Sequence, residues 1–461
     1  MKIPQTPPPM PDLLVKLAGE PGRLATVLGE GRPVDAKGRY LHWDELRRRR
    51  PPDGLTLEDW WLSTAIARQG IARSLPLTDV DEQPFRFSNI DRIQELVHRI
   101  DQQASGRILA DEVVTSLQSS NRYVISSLHE EAITSSQLEG ASTTRQVAKE
   151  MLRSGRRPQD RSEQMILNNF EVLQAAASLA ADGAPLIPSD VLDLHRAVTR
   201  DTLDDERDGG RLQRPGDNRI AVVWSHGTVL HYPPPAEALP GRLELLCEFA
   251  NGRSGEGFIH PVVRAIVLHF ALAYDHPFVD GNGRTARALF YWSMLRSGYW
   301  LTQYLSISSI LRAAPAKYVR SYLHVETDRG DLTYFVLHQL AVIERAIESL
   351  QAYLSRKMEE QRLAERLLRG SPHLNHRQIV LVGDAMRDPD SWFTIQAQAR
   401  RHRVTYATAR ADLLGLEALG LFVKTRIGKK FVFRPGADLM ARFGSSRVAG
   451  GAGGMPRGSQ S

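Results

Sequence analysis

The stretch HPFVDGNGRTARALF, residues 276–290, decides how the rest of the chain is interpreted. An apolar helical pattern precedes it, and Pro277 disfavours helical geometry at His276, so this helix is expected to end there. Gly281 and Gly283 permit backbone conformations that are closed to other residues, and RTARALF then starts a second helical pattern. The sequence therefore predicts a sharp turn between two helices of the protein core.

The residues of this turn have chemistry that a simple connection does not need. Amides at the start of the second helix favour an anion, because their N–H groups are unpaired and the helix dipole is positive there. Arg284 and Arg287 lie three apart on one helical face, where two cations imply a compensating anion. Asp280 is a hard oxygen ligand suited to Mg²⁺, and His276 can take up a proton near neutral pH. Together they predict a phosphoryl- or nucleotidyl-transfer site.

The spacing of the same residues excludes two other kinds of site. A Walker A loop needs Gly-Lys-Ser/Thr after a strand, whereas the upstream element here is helical. A zinc site needs a third ligand near His276 and Asp280, and the HExxH spacing is absent. A purely structural turn is the alternative for the GNG tripeptide alone, but such a turn has no use for the histidine, the aspartate and two arginines.

The string resembles the HPFx(D/E)GNGRxxR signature of the Fic family at every fixed position, and the similarity is expected over about residues 85–368. The resemblance implies a helical bundle that transfers AMP from ATP to a Ser, Thr or Tyr hydroxyl of a protein, with this protein itself among the candidates. It also implies that His276 is the base, that Asp280 holds Mg²⁺ and that Phe278 packs beneath the loop. The implied ATP-binding residues are Gly281, Asn282, Gly283 and Arg284 at the α- and β-phosphates and Arg287 at the γ-phosphate.

The type of group transferred is also suggested by the resemblance. Family members that act as kinases tend to replace the glycine found here at Gly283, so this sequence retains the form that transfers AMP. Transfer of another nucleotide or of a phosphoryl group stays open, since the sequence does not identify the pocket for the base.

A second motif, EAITSSQLEGASTT at residues 131–144, places Ser135 and Glu139 four apart on one face of a helix that Gly140 would end. A glutamate in the last turn opposes the helix dipole unless a cation meets it, and a surface glutamate before a terminal glycine is the alternative. The motif resembles the family's inhibitory pattern (S/T)xxxE(G/N). This implies an inhibitory helix at about residues 122–140, in which Glu139 pairs with Arg287 and occupies the room that the γ-phosphate needs.

The expected fold class is mainly α: a helical bundle with a small β-hairpin, followed by a winged helix-turn-helix domain. The predicted segments are an N-terminal accessory segment (1–84), the Fic domain (85–370), the winged helix domain (371–443) and a disordered Gly- and Ser-rich tail (444–461). A lone hairpin is expected within residues 218–235, and it resembles the family's flap, which pairs with the target segment. An ordinary surface hairpin is the alternative.

The C-terminal module has the order helix, helix, helix, hairpin and carries 13 Lys or Arg against 6 Asp or Glu between residues 376 and 447. This charge favours DNA as a partner, although winged helices also bind proteins. An alternative function is therefore a DNA-binding regulator whose core senses nucleotide or mediates assembly. The candidate DNA contacts are Arg400, Arg401, Arg403, Thr405, Tyr406 and Arg410, with Lys429 and Lys430 in the wing.

The composition fits a multidomain globular protein, with 42% hydrophobic and 24% charged residues among 461. No apolar run approaches the roughly 18 residues of a membrane span, and the start MKIPQTPPPMPDLL lacks a secretory signal, so a cytoplasmic location is expected. The single cysteine excludes an internal disulfide and a cysteine-based zinc site. The oligomeric state stays open, with a homodimer among the alternatives.

Overall fold

The computed structural model describes residues 2–105, 117–217, 219, 221–224, 227–255, 257–369, 374–388, 391–427, 430–436 and 439. The chain divides into two compact units, residues 1–350 and 351–461. The boundary between the two units lies inside the long helix Thr333–Arg369. The domain limit predicted after residue 370 therefore stays a prediction. The predicted tail at 444–461 lies outside the described residues.

The first unit begins with helices that form a small hydrophobic cluster of their own, which includes Trp43 and Trp61. Thr56 caps the fourth helix through a reciprocal pair of bonds with Asp59. A hairpin follows directly, with Ala72 opposite Ser88. These elements are α1 (Met10–Leu17), α2 (Pro21–Gly29), α3 (Trp43–Leu46), α4 (Leu57–Ile71), β1 (Ala72–Thr78) and β2 (Pro84–Ser88).

The β1–β2 hairpin precedes the helical region in which the lone hairpin is expected, and the sequence does not predict it. Its apolar residues alternate, so that Leu75 and Leu77 on one strand and Phe85 and Phe87 on the other are buried in the main core. The helical pattern of α4 runs into β1 without a turn signal, so the start of this hairpin is not evident from the sequence. The predicted limit at residues 84 and 85 falls within β2.

The main core is helical, as predicted, and is centred on two antiparallel neighbours, α11 and α12, whose side chains are almost all buried. The elements are α5 (Asp91–Ile100), α6 (Leu117–Leu138), α7 (Arg145–Ser154), α8 (Arg161–Asp182), α9 (Pro188–Thr199), β3 (Val222–Trp224), β4 (Thr228–His231), α10 (Leu239–Ala250), α11 (Pro261–Asp275), α12 (Asn282–Arg296), α13 (Ile307–Ala313), α14 (Pro315–Thr327) and α15 (Thr333–Arg369). None of the described helices is both long and apolar enough to cross a membrane.

The second unit has the predicted order of three helices and a hairpin: α16 (His376–Arg387), α17 (Ile395–His402), α18 (Tyr406–Ala418), β5 (Phe422–Ile427) and β6 (Lys430–Pro435). Its own core includes Leu381, Leu413 and Phe433. The side chains of Thr394 and Thr405 cap α17 and α18, because each accepts a bond from a backbone N–H in the first helical turn.

Candidate active site

The turn between α11 and α12 is held at its entry by the end of α11. His276 adopts a left-handed conformation, φ 45°, and its N–H bonds to the carbonyl of Leu272 at 3.0 Å, which closes the helix where the sequence predicts. Arg219 donates to the carbonyls of Asp275 (2.7 Å) and His276 (3.1 Å). These carbonyls lack helical partners, so Arg219 fixes the exit of the helix and the start of the turn.

The ring of His276 is partly exposed and is arranged to accept a proton. Its Nδ1 lies 3.4 Å from the carbonyl oxygen of Ala273, which assigns the ring proton to Nδ1 and leaves Nε2 as the acceptor. Burial lowers the pKa of His276 to about 4, although the nearby carboxylate of Glu139 opposes this. The imidazole is therefore neutral at neutral pH, with a free lone pair on Nε2.

The second helix starts at Asn282, two residues earlier than the sequence predicts. Gly281 is its N-cap with φ 83°, and the first intrahelical bond runs from the N–H of Thr285 to the carbonyl of Gly281 at 3.0 Å. The side chain of Asn282 accepts from the N–H of Phe278 (3.0 Å) and donates to its carbonyl (2.8 Å). Asn282 therefore holds the loop with its side chain, and its contribution to an anion site is its backbone N–H.

Arg284 is completely buried in the first turn of α12. Its Nη1 donates to the carbonyl of Val198 at 2.9 Å, whereas its Nε and Nη2 have no hydrogen-bond partner among the described residues. Nη2 lies 3.7 Å from Oδ2 of Asp280. Burial lowers the pKa of Arg284, and the charge of Asp280 opposes this. A buried cation with unsatisfied donors at a helix N-terminus calls for an anionic acceptor.

Arg287 is also buried, and the second motif of the sequence supplies its partners. Its Nε donates to Oγ of Ser135 at 2.8 Å, and its Nη2 donates to Oε1 of Glu139 at 2.8 Å. Burial alone would lower the pKa of Arg287, but the nearby Glu139, Tyr318 and Glu131 together outweigh it, with Glu139 contributing most, and the pKa is raised. The structure thus brings together the two residues that the resemblance pairs.

Glu139 lies just beyond the end of α6, in a turn closed by a bond from the N–H of Ala141 to the carbonyl of Ser136 at 3.0 Å. Gly140 has φ 98°, so the chain reverses there as the sequence predicts. A Cβ added at Gly283 would lie only 2.2 Å from Oε1 of Glu139. The carboxylate therefore covers the first turn of α12, and Gly283 is needed for space rather than for an unusual φ.

Asp280 presents an accessible carboxylate beside the turn, with a side chain that is 43% exposed. Its Oδ1 accepts from the N–H of Gly281 at 2.6 Å, and its Oδ2 lies 3.7 Å from Nη2 of Arg161. No cluster of three or more His, Cys, Asp or Glu that could hold a metal occurs in the described part of the chain. A single accessible carboxylate fits Mg²⁺, which takes its other ligands from substrate phosphates and water.

The structure adds residues that the sequence analysis did not identify. His195 and Thr199, on one face of α9, lie beneath the turn, and the ring of His195 stacks on Phe278 with centroids 3.7 Å apart. Phe278 itself is fully buried. His195 is separated from the turn by more than 80 residues, and an isolated histidine on an amphipathic helix gives no local signal of such a contact.

The predicted hairpin is present as β3 and β4, with Val222 opposite His231 and Trp224 opposite Thr228. It is attached to the end of α11, because Nε2 of His231 lies 2.7 Å from the carbonyl oxygen of Tyr274. Val223 is 57% exposed. The hairpin therefore starts next to the entry of the turn and presents an apolar side chain to solvent.

The candidate DNA contacts of the second unit differ in whether their side chains already bond to other groups of the protein. The exposed residues are Arg400, Arg401, Arg403, Thr405, Tyr406 and Arg410. Arg401, however, is paired with Asp384, and the hydroxyl of Thr405 caps α18 by accepting from the N–H of Thr408 at 3.2 Å. Lys430 begins β6, and Lys429 lies outside the described residues.

Residues 185–294, which contain α9 to most of α12, match the model of the Fic/DOC family. The Protein adenylyltransferase Fic of Drosophila sechellia and that of Drosophila melanogaster are each 38% identical over 113 residues, or 24% of this chain and 20% of the relative. This chain thus matches only about a fifth of the length of these curated relatives. A Fic family protein from Desulfovibrio desulfuricans G20 has a similar fold, with TM-score 0.50, 18% identity and coverage of 76% of this chain and 97% of that one.

Proposed function

We propose that this chain, whose residues 185–294 match the model of the Fic/DOC family, transfers AMP from ATP to a hydroxyl group of a protein. One observation carries the proposal. Arg284 is fully buried at the start of α12, and two of its donor nitrogens, Nε and Nη2, make no hydrogen bond among the described residues, although Nη2 lies 3.7 Å from the carboxylate of Asp280. A buried guanidinium in this state is costly unless an anion completes its bonds, and the neighbouring amides of α12 face the same place. A polyphosphate satisfies both.

The proposed reaction is an in-line displacement at the α-phosphorus of ATP. His276 accepts the proton of the protein hydroxyl at Nε2, the hydroxyl oxygen forms the new bond to phosphorus, and the bond to the β-phosphate oxygen breaks, which releases pyrophosphate. The amides of Asn282, Gly283 and Arg284 and the guanidinium of Arg284 stabilise the negative charge of the phosphates. The low pKa of His276 keeps it neutral, as a base must be before the reaction.

Mg²⁺ fits this proposal at Asp280, whose exposed carboxylate would hold the ion together with oxygens of the nucleotide. The ion supplies charge neutralisation on the phosphates when bound. The chain's own contribution is to orient the carboxylate, since Oδ1 of Asp280 is fixed by the N–H of Gly281 while Oδ2 is left near two arginines.

We further propose that Glu139 restrains this reaction. Its carboxylate occupies the space over Gly283 and pairs with Arg287, the cation assigned to the γ-phosphate. The γ-phosphate of ATP and this carboxylate therefore compete for the same cation, Arg287. ATP that binds while Glu139 is in place is therefore expected to be misaligned, and basal transfer is expected to be slow.

The test is intact-mass analysis of the full chain with Glu139→Gly, incubated with ATP and Mg²⁺, together with calorimetric measurement of ATP binding. Binding of ATP and a mass gain of one AMP on the chain or on an added protein substrate support the proposal. The double variant with His276→Ala should still bind ATP but gain no AMP. If the single variant does not bind ATP, the anion site that carries the proposal does not exist.

A second candidate function, DNA binding by the second unit, is favoured by the exposed residues at the start of α18. Tyr406 is 59% exposed, and Arg403 and Arg410 flank it with exposed side chains. Winged helices place such residues at the major groove and phosphates. We expect Arg410→Ala to weaken binding to duplex DNA and to reduce its salt dependence by about one phosphate contact. The matched Arg401→Ala should change binding less, because Arg401 pairs with Asp384; equal losses would contradict this contact assignment.

A further inference from the structure

We infer that His195 is a positioning residue for the transfer reaction: through its ring, α9 fixes the main chain from which the anion-binding turn starts. The inference rests on the proposed function, because it concerns the geometry of the same turn. His195 touches neither of the residues assigned to the base or to the γ-phosphate. It acts through the backbone of Asp280 and the ring of Phe278.

His195 is fully buried and makes three contacts, each with a different part of the site's support. Its Nε2 lies 2.8 Å from the carbonyl oxygen of Asp280, and its Nδ1 lies 2.9 Å from the backbone nitrogen of Gly210. Its ring stacks on that of Phe278, with centroids 3.7 Å apart and planes 7° apart. The two residues it contacts in the turn, Phe278 and Asp280, lie on either side of Val279. The imidazole therefore contacts the part of the turn that connects His276 to the start of α12.

The partner of Nδ1 determines the tautomer of this ring. The N–H of Gly210 can only donate, so Nδ1 is the acceptor and the ring proton is on Nε2. Nε2–H therefore donates to the carbonyl of Asp280. Burial lowers the pKa of His195 to about 4, so this neutral arrangement persists at neutral pH. Gly210 has φ 72°, and a Cβ there would lie 2.9 Å from the carbonyl oxygen of Leu192, so the close approach of its N–H requires glycine.

Other residues on the same face of α9 also contact the turn and the start of α12. The carbonyl of Val198 accepts from Nη1 of Arg284 at 2.9 Å, and a Cβ on Gly281 would lie 2.6 Å from Cγ2 of Thr199. Residues 195, 198 and 199 are spaced i, i+3 and i+4, so they present one face of α9 to the turn. A single rigid helix therefore sets the positions of Asp280, Gly281 and Arg284 together.

The consequence is that His195 should affect turnover more than nucleotide affinity. Without its bond, the carbonyl of Asp280 can shift, and the phosphates held at the helix start move relative to His276 on the other side of the turn. Misplacement by about 1 Å costs up to about 100-fold in rate. ATP retains the amides and arginines that bind it, so its affinity changes less.

The experiment compares His195→Phe and His195→Gln in the Glu139→Gly background, with kcat and KM for ATP measured per folded molecule. Phenylalanine keeps the stacking but loses both hydrogen bonds, and kcat should fall about 10- to 100-fold with a smaller change in KM. Glutamine offers one donor and one acceptor, so it should restore much of kcat. If too little of the His195→Phe protein is folded for the assay, kcat and the ATP affinity of His195→Gln still test the positioning role.

A matched control is His324→Phe, which removes another buried histidine that stacks on His42, with ring centroids 4.4 Å apart, away from the turn. It should lower stability but leave kcat per folded molecule unchanged. An unchanged kcat in His195→Phe, or a glutamine variant no better than the phenylalanine variant, overturns the positioning role. A parent Glu139→Gly protein with no transfer activity is a different result, because it refutes the proposed function and the inference with it.

Discussion

Replacement of Glu139 by glycine should release transfer activity, and the structure sets the size of the effect. Under the proposed restraint, productive ATP binding would break the bond between Oε1 of Glu139 and Nη2 of Arg287, which is 2.8 Å long and on a cation that is 2% exposed. Loss of one such charged hydrogen bond costs about 1.5–3 kcal/mol, and each ~1.4 kcal/mol is tenfold, so the initial rate should rise about 10- to 150-fold. The assay is incorporation of label from ATP labelled at the α-phosphate, with purified protein and Mg²⁺.

Two variants show whether the carboxylate itself is responsible. Glu139→Gln keeps an oxygen that can accept from Arg287 but removes the charge, so its rate should lie between those of the wild type and the glycine variant. Glu130→Gln removes a carboxylate from the same helix that pairs with Arg145, at 2.7 Å, and should leave the rate unchanged. Equal initial rates for wild type and Glu139→Gly, measured while the variant binds ATP, would refute the restraint.

Three further predictions concern the base and the support of the site. Because burial holds the pKa of His276 near 4, its neutral form prevails above that value, and kcat/KM should rise through about pH 4 and level off by about pH 6; an acid limb centred at about 6.5, the ordinary value, would contradict this. Gly281→Ala should lower the free energy of unfolding by about 2–4 kcal/mol, because φ is 83° and the new Cβ would lie 2.6 Å from a methyl carbon of α9. Urea unfolding measures this change. In the control Gly298→Ala, the free energy of unfolding should fall by only about 1–2 kcal/mol, because φ is 88° there but nothing lies within 4 Å of the added Cβ. Glu131→Ala should cost about 2–3 kcal/mol, because this buried carboxylate accepts from the N–H of Ser308 at 3.0 Å, and unchanged urea midpoints would contradict it.

The local features of the turn were predictable because their causes are local. Pro277 after His276 ends a helix by steric exclusion, and Gly281 supplies a conformation that other residues reach only at a cost. Both signals lie within six residues, and the structure has the helix end and the N-cap there. The start of α12 was misplaced by two residues, since it depends on a bond between the side chain of Asn282 and the backbone of Phe278 that a pattern of apolar residues does not contain.

The burial of Arg284 and Arg287 could not be inferred from charge, which ordinarily places arginine at the surface. It follows from α12 packing against α11, α8 and α9, which buries most of its residues, Arg284 and Arg287 among them. The contacts of α9 with the turn were missed for a related reason. His195 contacts Asp280 only because two helices far apart in sequence pack side by side. A single sequence does not reveal which distant helices pack together.

The burial of Arg287 links the proposed restraint by Glu139 to the proposed binding of ATP, because both would use this one cation. A lone buried cation is costly, so an anion beside Arg287 stabilises the folded protein. Without nucleotide, Glu139 supplies that anion from within the chain and thereby keeps the end of α6 in place over Gly283. With ATP correctly bound, a phosphate would take its place, and the carboxylate would return to water. Whatever moves the end of α6 away must therefore raise the affinity for correctly aligned ATP, and aligned ATP must favour the displaced helix by the same free energy.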